Sequence, residues 1–368
     1  MNSPAFPLSG ITVLDLTRLL PGAFATLMLA ELGAEVIKIE DPQGGDPMRR
    51  LPPVVNGRGI YDLLLNRGKK SVALDLRQPE GRAAFNHLAA SADVVIESFR
   101  PATARRLGVS ADAVRTRHSR LVHCSITGYG QTGPYADLPG HDLNYVSVSG
   151  FLAADRPSLT ELPRMFIADI GGGAMSAVVG ILAALVGRGR TGEGQTIDVS
   201  MHDAALYWLM VPAARELVEG GASATGELPT FGRHASYNVY RTKDGGMLAL
   251  GALELKFWTA FCEAVGRPDL SARHATGPAD QAALIETMRE LFGSRTRDEW
   301  LSLLQGHDVC LTPVNSPAEG LVDPHITARN VVRTGPGLRF VRPPFVSLTP
   351  TLDPAPEVGQ HTAEILAR

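Results

Sequence analysis

Between Ile11 and Glu40 the chain runs ITVLDLT, PGAFATLMLAELGA and EVIKIE. The outer segments are short apolar runs of strand type. The middle one carries a proline near its start and Gly33 as a stop signal, the marks of a helix. A strand, a helix and a second strand ending on an acidic residue form a Rossmann-like βαβ unit. The alternation continues through SVALDL, PEGRAAFNHLAASA, DVVIESF, a short helix after Pro101, and LVHCSITGYG. Strands separated by helices predict an α/β fold with a mostly parallel, doubly wound sheet. The turn after the first strand is TRLLPG, without the glycines of G-x-G-x-x-G, so the architecture is kept and the NAD fingerprint is absent.

After Gly150 come a loop, the apolar helix AMSAVVGILAALVG (Ala174–Gly187), too short to span a bilayer and expected in the core, and the connection GRGRTGEGQ. TIDVSMHDAALYWLM then reads as a strand passing into a helix. From Gly220 the texture changes to loops, two antiparallel strands around a turn at Lys243–Gly246, and helices at KFWTAFCEAVG, DQAALIETMRELFG and RDEWLSLLQG. A chain of 368 residues is too long for one simple core. The expected division is a large Rossmann-like domain over 1–219, a small α+β domain over 220–324, and a tail over 325–368 that returns to the first.

Hydrophobic residues at 44% and charged residues at 20% fit a globular protein, and a net charge of -3 argues against a nucleic-acid partner. Cys124, Cys262 and Cys310 have no metal or redox spacing and read as buried thiols of a reducing compartment. The start, MNSPAFPLSGITVLDL, lacks the basic residues and apolar core of a signal peptide. The expectation is a cytoplasmic protein without a membrane or a metal.

Several residues invite a chemical reading, and each has a plain structural one. His141, in GHDLNYVSVSG, stands before a short alternating run and reads as a turn residue in front of a strand, held by Asp142. Asp169, in FIADIGGGAM, reads as a helix N-cap. Gly171, Gly172 and Gly173, however, are costly at a helix start and suit a place where a ligand approaches the backbone or amides face a developing charge. Glu254 reads as a helix-start carboxylate, Arg100 as a solvated strand end, and NRGKK (Asn66–Lys70) as exposed charge or a phosphate contact.

Taken together, VLDLTRLLPGAFATLMLAELGAEVIKIEDP, LNRGKKSVALDL, DVVIESFRPATARRLGV, ITGYGQTGPYADLPGHDLNY, ADIGGG and GRGRTGEGQTIDVSMHDA resemble the family III CoA-transferase superfamily, often called CaiB/BaiF. The similarity runs from about Gly10 into the small domain, where DGGMLALGALELKFW and TPVNSPAEGLVDPH also fit. The resemblance implies an interlocked homodimer acting on acyl-CoA at a site between subunits. Transferases of the superfamily use the aspartate matching Asp169 as a nucleophile. Its α-methylacyl-CoA racemases carry GHD-[IL]-NY and D-[IF]-GGG, with histidine and aspartate as an acid/base pair. Both signatures stand here, at Gly140–Tyr145 and Asp169–Gly173, with Glu254 where racemases place a third carboxylate. The loop GELPTFGRHA lacks the glycine run that several transferases use.

The resemblance therefore implies an isomerase of lipid metabolism, epimerising 2-methylacyl-CoA through an enolate-like intermediate. His141 and Asp169 would exchange the α-proton, and Glu254 would fix the tautomer of His141. Arg100 and Lys69 or Lys70 would lie near the CoA phosphates, Leu74 near the adenosine, and Gly140, Asp142, Asn144 and Tyr145 along the rest of the CoA. No cofactor is implied beyond the CoA of the substrate. The alternatives are CoA transfer with Asp169 as nucleophile and non-catalytic acyl-CoA binding. Two departures stand out. Asp41 precedes Pro42 where racemases often have a basic residue, with Lys38, Arg49 or Arg50 as candidate substitutes. RRLPPVVNGRGIYDLLLNRGKK is longer than in some racemases and nearer the transferase pattern.

Overall fold

Strands buried on both faces show nearly unbroken apolar runs, and that is how the four central strands of the large sheet are placed. The computed structural model describes residues 6–155, 162–220, 232–335, 337–344 and 350–368. In chain order come β1 (Thr12–Leu16), α1 (Leu19–Glu31), β2 (Glu35–Glu40), the small hairpin of β3 (Val54–Val55) and β4 (Arg58–Gly59), and α2 (Ile60–Leu65). They are followed by β5 (Lys69–Ala73), α3 (Pro79–Ser91), β6 (Val94–Glu97), α4 (Pro101–Leu107), α5 (Ala111–Arg115) and β7 (Val122–Thr127). Next are α6 (Asp142–Val148), α7 (Phe151–Asp155), α8 (Met175–Thr191), β8 (Thr196–Ser200) and α9 (Met201–Trp208).

The six-stranded sheet has the order β5-β2-β1-β6-β7-β8, and every neighbouring pair is parallel. The chain winds outward from β1 to β5, then restarts at β6 on the other side of β1. The topological switch point lies between β1 and β6, and the crevice at their carboxyl ends is where doubly wound sheets take ligands. One face of the sheet packs Val13, Val94, Ile96, Val122 and Cys124 against Leu29 of α1 and Ile181 of α8. The other packs Leu14, Leu16, Ile37, Val72 and Val95 against Phe85 and Leu88 of α3 and Ile365 near the C-terminus. Each such side chain contributes about 1.5–3 kcal/mol on burial.

The chain divides into two units, one of residues 1–210 and 331–368, the other of residues 211–330. The second unit has its own antiparallel sheet of β9 (Tyr237–Arg241), β10 (Met247–Gly251) and β11 (Leu311–Pro313), in the order β11-β10-β9. Its core gathers Tyr240, Trp258, Phe261, Phe292 and Trp300. The two indoles are satisfied internally, Trp258 donating to Leu270 O at 3.0 Å and Trp300 to Phe292 O at 2.9 Å.

Four expectations change. The alternating run after Gly140 is helix α6, not a strand. Asn144 Oδ1 accepts the His141 N–H at 3.0 Å while the Asn144 N–H donates to His141 O at 2.8 Å, and this reciprocal cap outweighs β-type alternation. Asp169 is not an N-cap: it lies inside a π-helical turn over Ile167–Ala174 that leads into α8. That turn lengthens the apolar helix to 25 residues, Ile167–Thr191, enough by length and composition to cross a membrane. Here its inner face packs on β7, β8 and α1 as a core helix. Cys310 is exposed, whereas Cys124 and Cys262 are buried.

Candidate active site

The site begins with the turn that leaves β1. Parallel register sets Asp15 of β1 beside Lys38 of β2, and both are buried. The Asp15 carboxylate accepts from the Thr17 N–H at 2.9 Å and the Thr26 hydroxyl at 2.7 Å. Burial works against its charge, yet Lys38 and Lys69 hold it below the usual carboxylate range. The Lys38 ammonium donates to Thr17 O at 2.9 Å and pairs with Asp46 at 3.0 Å. Asp46 in turn accepts the Leu19 N–H at 3.3 Å. Leu19 has a φ of 63°, a left-handed conformation that costs an L residue about 1–3 kcal/mol. The buried charges thus hold open a strained turn at the switch point.

Three cavities lead on from it. The first, about 240 Å³, lies over the ends of β1, β2 and β5 and is lined by Arg18, Asp41, Leu74, Arg77, Phe99 and Arg106. The second, about 540 Å³, is more polar than the groove beyond it and includes Arg18, Arg100, Gly140, His141, Asn144, Tyr145 and Asp169. The third, about 360 Å³, is an apolar groove of Leu19, Leu20, Met48, Leu51, Tyr61 and Phe166, with His141 and Asp169 at its edge. Arg18 lines the first two; Leu19, His141 and Asp169 line the last two.

His141 caps α6 with its backbone fixed by Asn144 and its side chain exposed. Tyr145 anchors the same turn, its hydroxyl donating to Gly140 O at 2.5 Å. A Cβ on Gly140 would fall 2.7 Å from the Tyr145 ring, so only glycine fits there. Asp169 is half-buried; burial first, and the Asp142 charge second, push its carboxyl up to about 7. The following glycines serve packing: a Cβ on Gly172 would lie 2.9 Å from Ala204 Cβ, and one on Gly173 2.9 Å from Met201 Cγ. They let α9 approach the turn, and the Asp169 N–H is not open to a ligand, because Asp142 Oδ1 accepts it at 2.9 Å.

Leu74 lines the first cavity, and Arg100, Gly140, Asn144 and Tyr145 the second. Arg100 also donates to Asp137 O at 3.1 Å. Asp142 lies behind Asp169, in none of the three linings. Lys69 and Lys70 are placed elsewhere. Lys69 is 3% exposed, with its ammonium on Thr26 at 2.7 Å, Asn66 at 2.8 Å and Asp15 at 3.3 Å, and burial pulls it down to about 8. Lys70 pairs with Glu35 at 2.9 Å and Glu364 at 3.2 Å. The suggested substitutes at Asp41 are also engaged or apart: Lys38 with Asp46, Arg49 with Glu40 at 2.6 Å, and Arg50 outside the lining. Sequence reasoning missed Arg18, Arg77 and Arg106. Arg18 and Arg77 follow β1 and β5 within a few residues, at the carboxyl edge where such sheets bind ligands, which is the signal that finds them. Arg77 pairs with Asp41 at 3.4 Å, so a cation does reach that position from β5's side. Glu254 lies in the second unit just before α10 (Leu255–Ala264), exposed, with its carbonyl accepting from Phe257 and Trp258.

Residues 8–362 match the sequence pattern of CoA-transferase family III. An alpha-methylacyl-CoA racemase of Mus musculus is 31% identical over 98% of this chain and 92% of its own. A succinate–glutarate CoA-transferase of Agrobacterium fabrum is 35% identical over 98% of this chain and 95% of its own. The crystal structure of a CAIB/BAIF family protein from Brucella suis superposes with a TM-score of 0.86 at 31% identity, covering 99% of both chains.

Proposed function

Because the chain belongs to CoA-transferase family III, we propose that it interconverts the two epimers of 2-methylacyl-CoA thioesters by exchanging the α-proton. The observation that carries this reading is that His141 and Asp169 share the boundary between a polar cavity and an apolar groove. A thioester laid along the cavities puts its CoA nucleotide by Arg18, Arg77 and Arg106, its pantetheine arm along the polar cavity and its acyl chain in the apolar groove. Its α-carbon then falls at the imidazole and the carboxyl.

The α-hydrogen of a thioester is weakly acidic, so exchange needs a base, an acid and a donor for the enolate oxygen. Imidazole changes charge near neutral pH and suits the base. An ordinary aspartic acid is a poor acid there, but a carboxyl pushed up to about 7 carries a proton and accepts one with similar ease. His141 removes the proton of one epimer while Asp169 protonates the opposite face, and the roles reverse for the other. The N–H groups of His141 and Asp169 are occupied, by Asn144 Oδ1 and Asp142 Oδ1, and so are not free to hold that oxygen. Glu254 keeps the supporting role that the racemase pattern gives it. In this reading the working form is a homodimer: Val179 and Val186 of α8 and Leu206, Tyr207 and Trp208 of α9 are exposed and offer a second copy an apolar face.

CoA transfer is the second reading, favoured by the 35% identity to the Agrobacterium fabrum transferase. It asks for an ionised Asp169 as nucleophile and leaves His141 idle. One epimer of a 2-methylacyl-CoA in D2O, with no acceptor acid, separates the two. Deuterium at the α-carbon together with the opposite epimer is the expected result. No exchange, but CoA transfer once a carboxylic acid is added, overturns the proposal.

A further inference from the structure

The residue between the two halves of the site has a part that neither reading gives it. Asp142 is the first residue of α6, directly after His141, and its Oδ1 accepts the Asp169 N–H at 2.9 Å, 27 residues away in the chain. The Ala168 N–H faces the same carboxyl and favours its charge. One side chain therefore joins the turn that carries His141 to the turn that carries Asp169. The charge it brings lies behind Asp169, whose surroundings are otherwise apolar or uncharged on that side. From α9, Ala204, Met201 and Trp208 pack on the glycines next to it. On the open side His141, Tyr145 and Arg18 line the same cavity as Asp169.

Resting on the racemase reading, we propose that Asp142 is a positioning residue for that reaction, holding Asp169 in register with His141 and keeping the Asp169 carboxyl protonated. Burial raises the Asp142 carboxyl above its ordinary range, while the Asp169 and Ala168 N–H groups work the other way and favour its charge. A fixed negative charge disfavours a second one beside it, and that is what a proton donor at neutral pH requires. The raised value of Asp169, to which Asp142 contributes after burial, agrees with this geometry. The same contact explains why Asp142 stays out of the cavities: its oxygens are turned to the backbone of the π-helical turn.

The test uses the full-length protein and two variants, with deuterium exchange followed separately from each epimer across pH. Asp142→Asn keeps an oxygen for the Asp169 N–H and removes only the charge. It should leave KM within about twofold and move the alkaline limb of one epimer and the acid limb of the other to lower pH, by roughly one unit. Asp142→Ala removes both the charge and the bond, and should lower kcat by about 10²-fold, again with little change in KM. A purely structural or CoA-contacting residue would not shift both limbs in the isosteric variant. Unmoved limbs in Asp142→Asn, or a loss confined to KM in Asp142→Ala, overturn the proposal. Absence of exchange in the unaltered protein overturns the racemase reading itself, and is told apart by that control.

Discussion

Asp169→Asn should trade activity for stability in a pH-dependent way. Burial, with the Asp142 charge behind it, pushes the native carboxyl up to about 7 from an ordinary value of 3.8. Below about pH 4 both native and unfolded chains hold this proton, and the group adds nothing to the pH dependence. Between about pH 4 and 7 the unfolded chain loses the proton while the native one keeps it, so stability falls as pH rises. Above 7 the whole cost is present. At 1.36 kcal/mol per pKa unit the full cost reaches about 4 kcal/mol, and the part between pH 5.5 and 8.5 about 2 kcal/mol. Solvent reaching this half-buried group screens some of that, leaving about 1–2 kcal/mol. Asparagine has no charge to desolvate. Urea unfolding at fixed protein concentration should therefore show Asp169→Asn gaining about 1–2 kcal/mol on the unaltered protein between pH 5.5 and 8.5. An equal gap at both pH values, or one that shrinks as pH rises, refutes the argument from burial.

Asp15→Ala leaves Lys38 and Lys69 buried without their shared carboxylate and should destabilise the protein by about 3–5 kcal/mol, read from thermal or denaturant unfolding. Arg106→Ala removes an exposed cation from the first cavity and should weaken CoA by roughly tenfold in calorimetry, with no loss of folding stability.

The parallel sheet was legible because strands buried on both faces keep an apolar run that local neighbours do not disturb, as in Val94–Glu97 and Val122–Thr127. His141 and Asp169 were legible only as members of quoted motifs, and the structure brings both to one boundary. What sequence hid was set by distant partners. Asn144 and Tyr145 make a helix of a run that alternates like a strand. The glycines after Asp169 answer to Ala204 and Met201, about thirty positions on, and not to a ligand. Lys69 looks like surface charge in NRGKK, but Asp15, Thr26 and Asn66 enclose it. Burial of a lysine depends on such partners, and no local pattern announces them. Arg106 becomes part of a cavity only in company with Leu16 of β1 and Leu74 after β5, residues distant from it in the sequence.

The central claim is that His141 and Asp169 act on opposite faces of one carbon, and His141→Ala tests it most directly. Each epimer of a 2-methylacyl-CoA would be incubated separately with this variant in D2O. The account predicts that inversion stops, that the epimer deprotonated by His141 no longer exchanges, and that the other still exchanges through Asp169 without inverting. Equal exchange of both epimers with inversion intact would contradict it, and so would loss of neither while CoA transfer to an added acid continues.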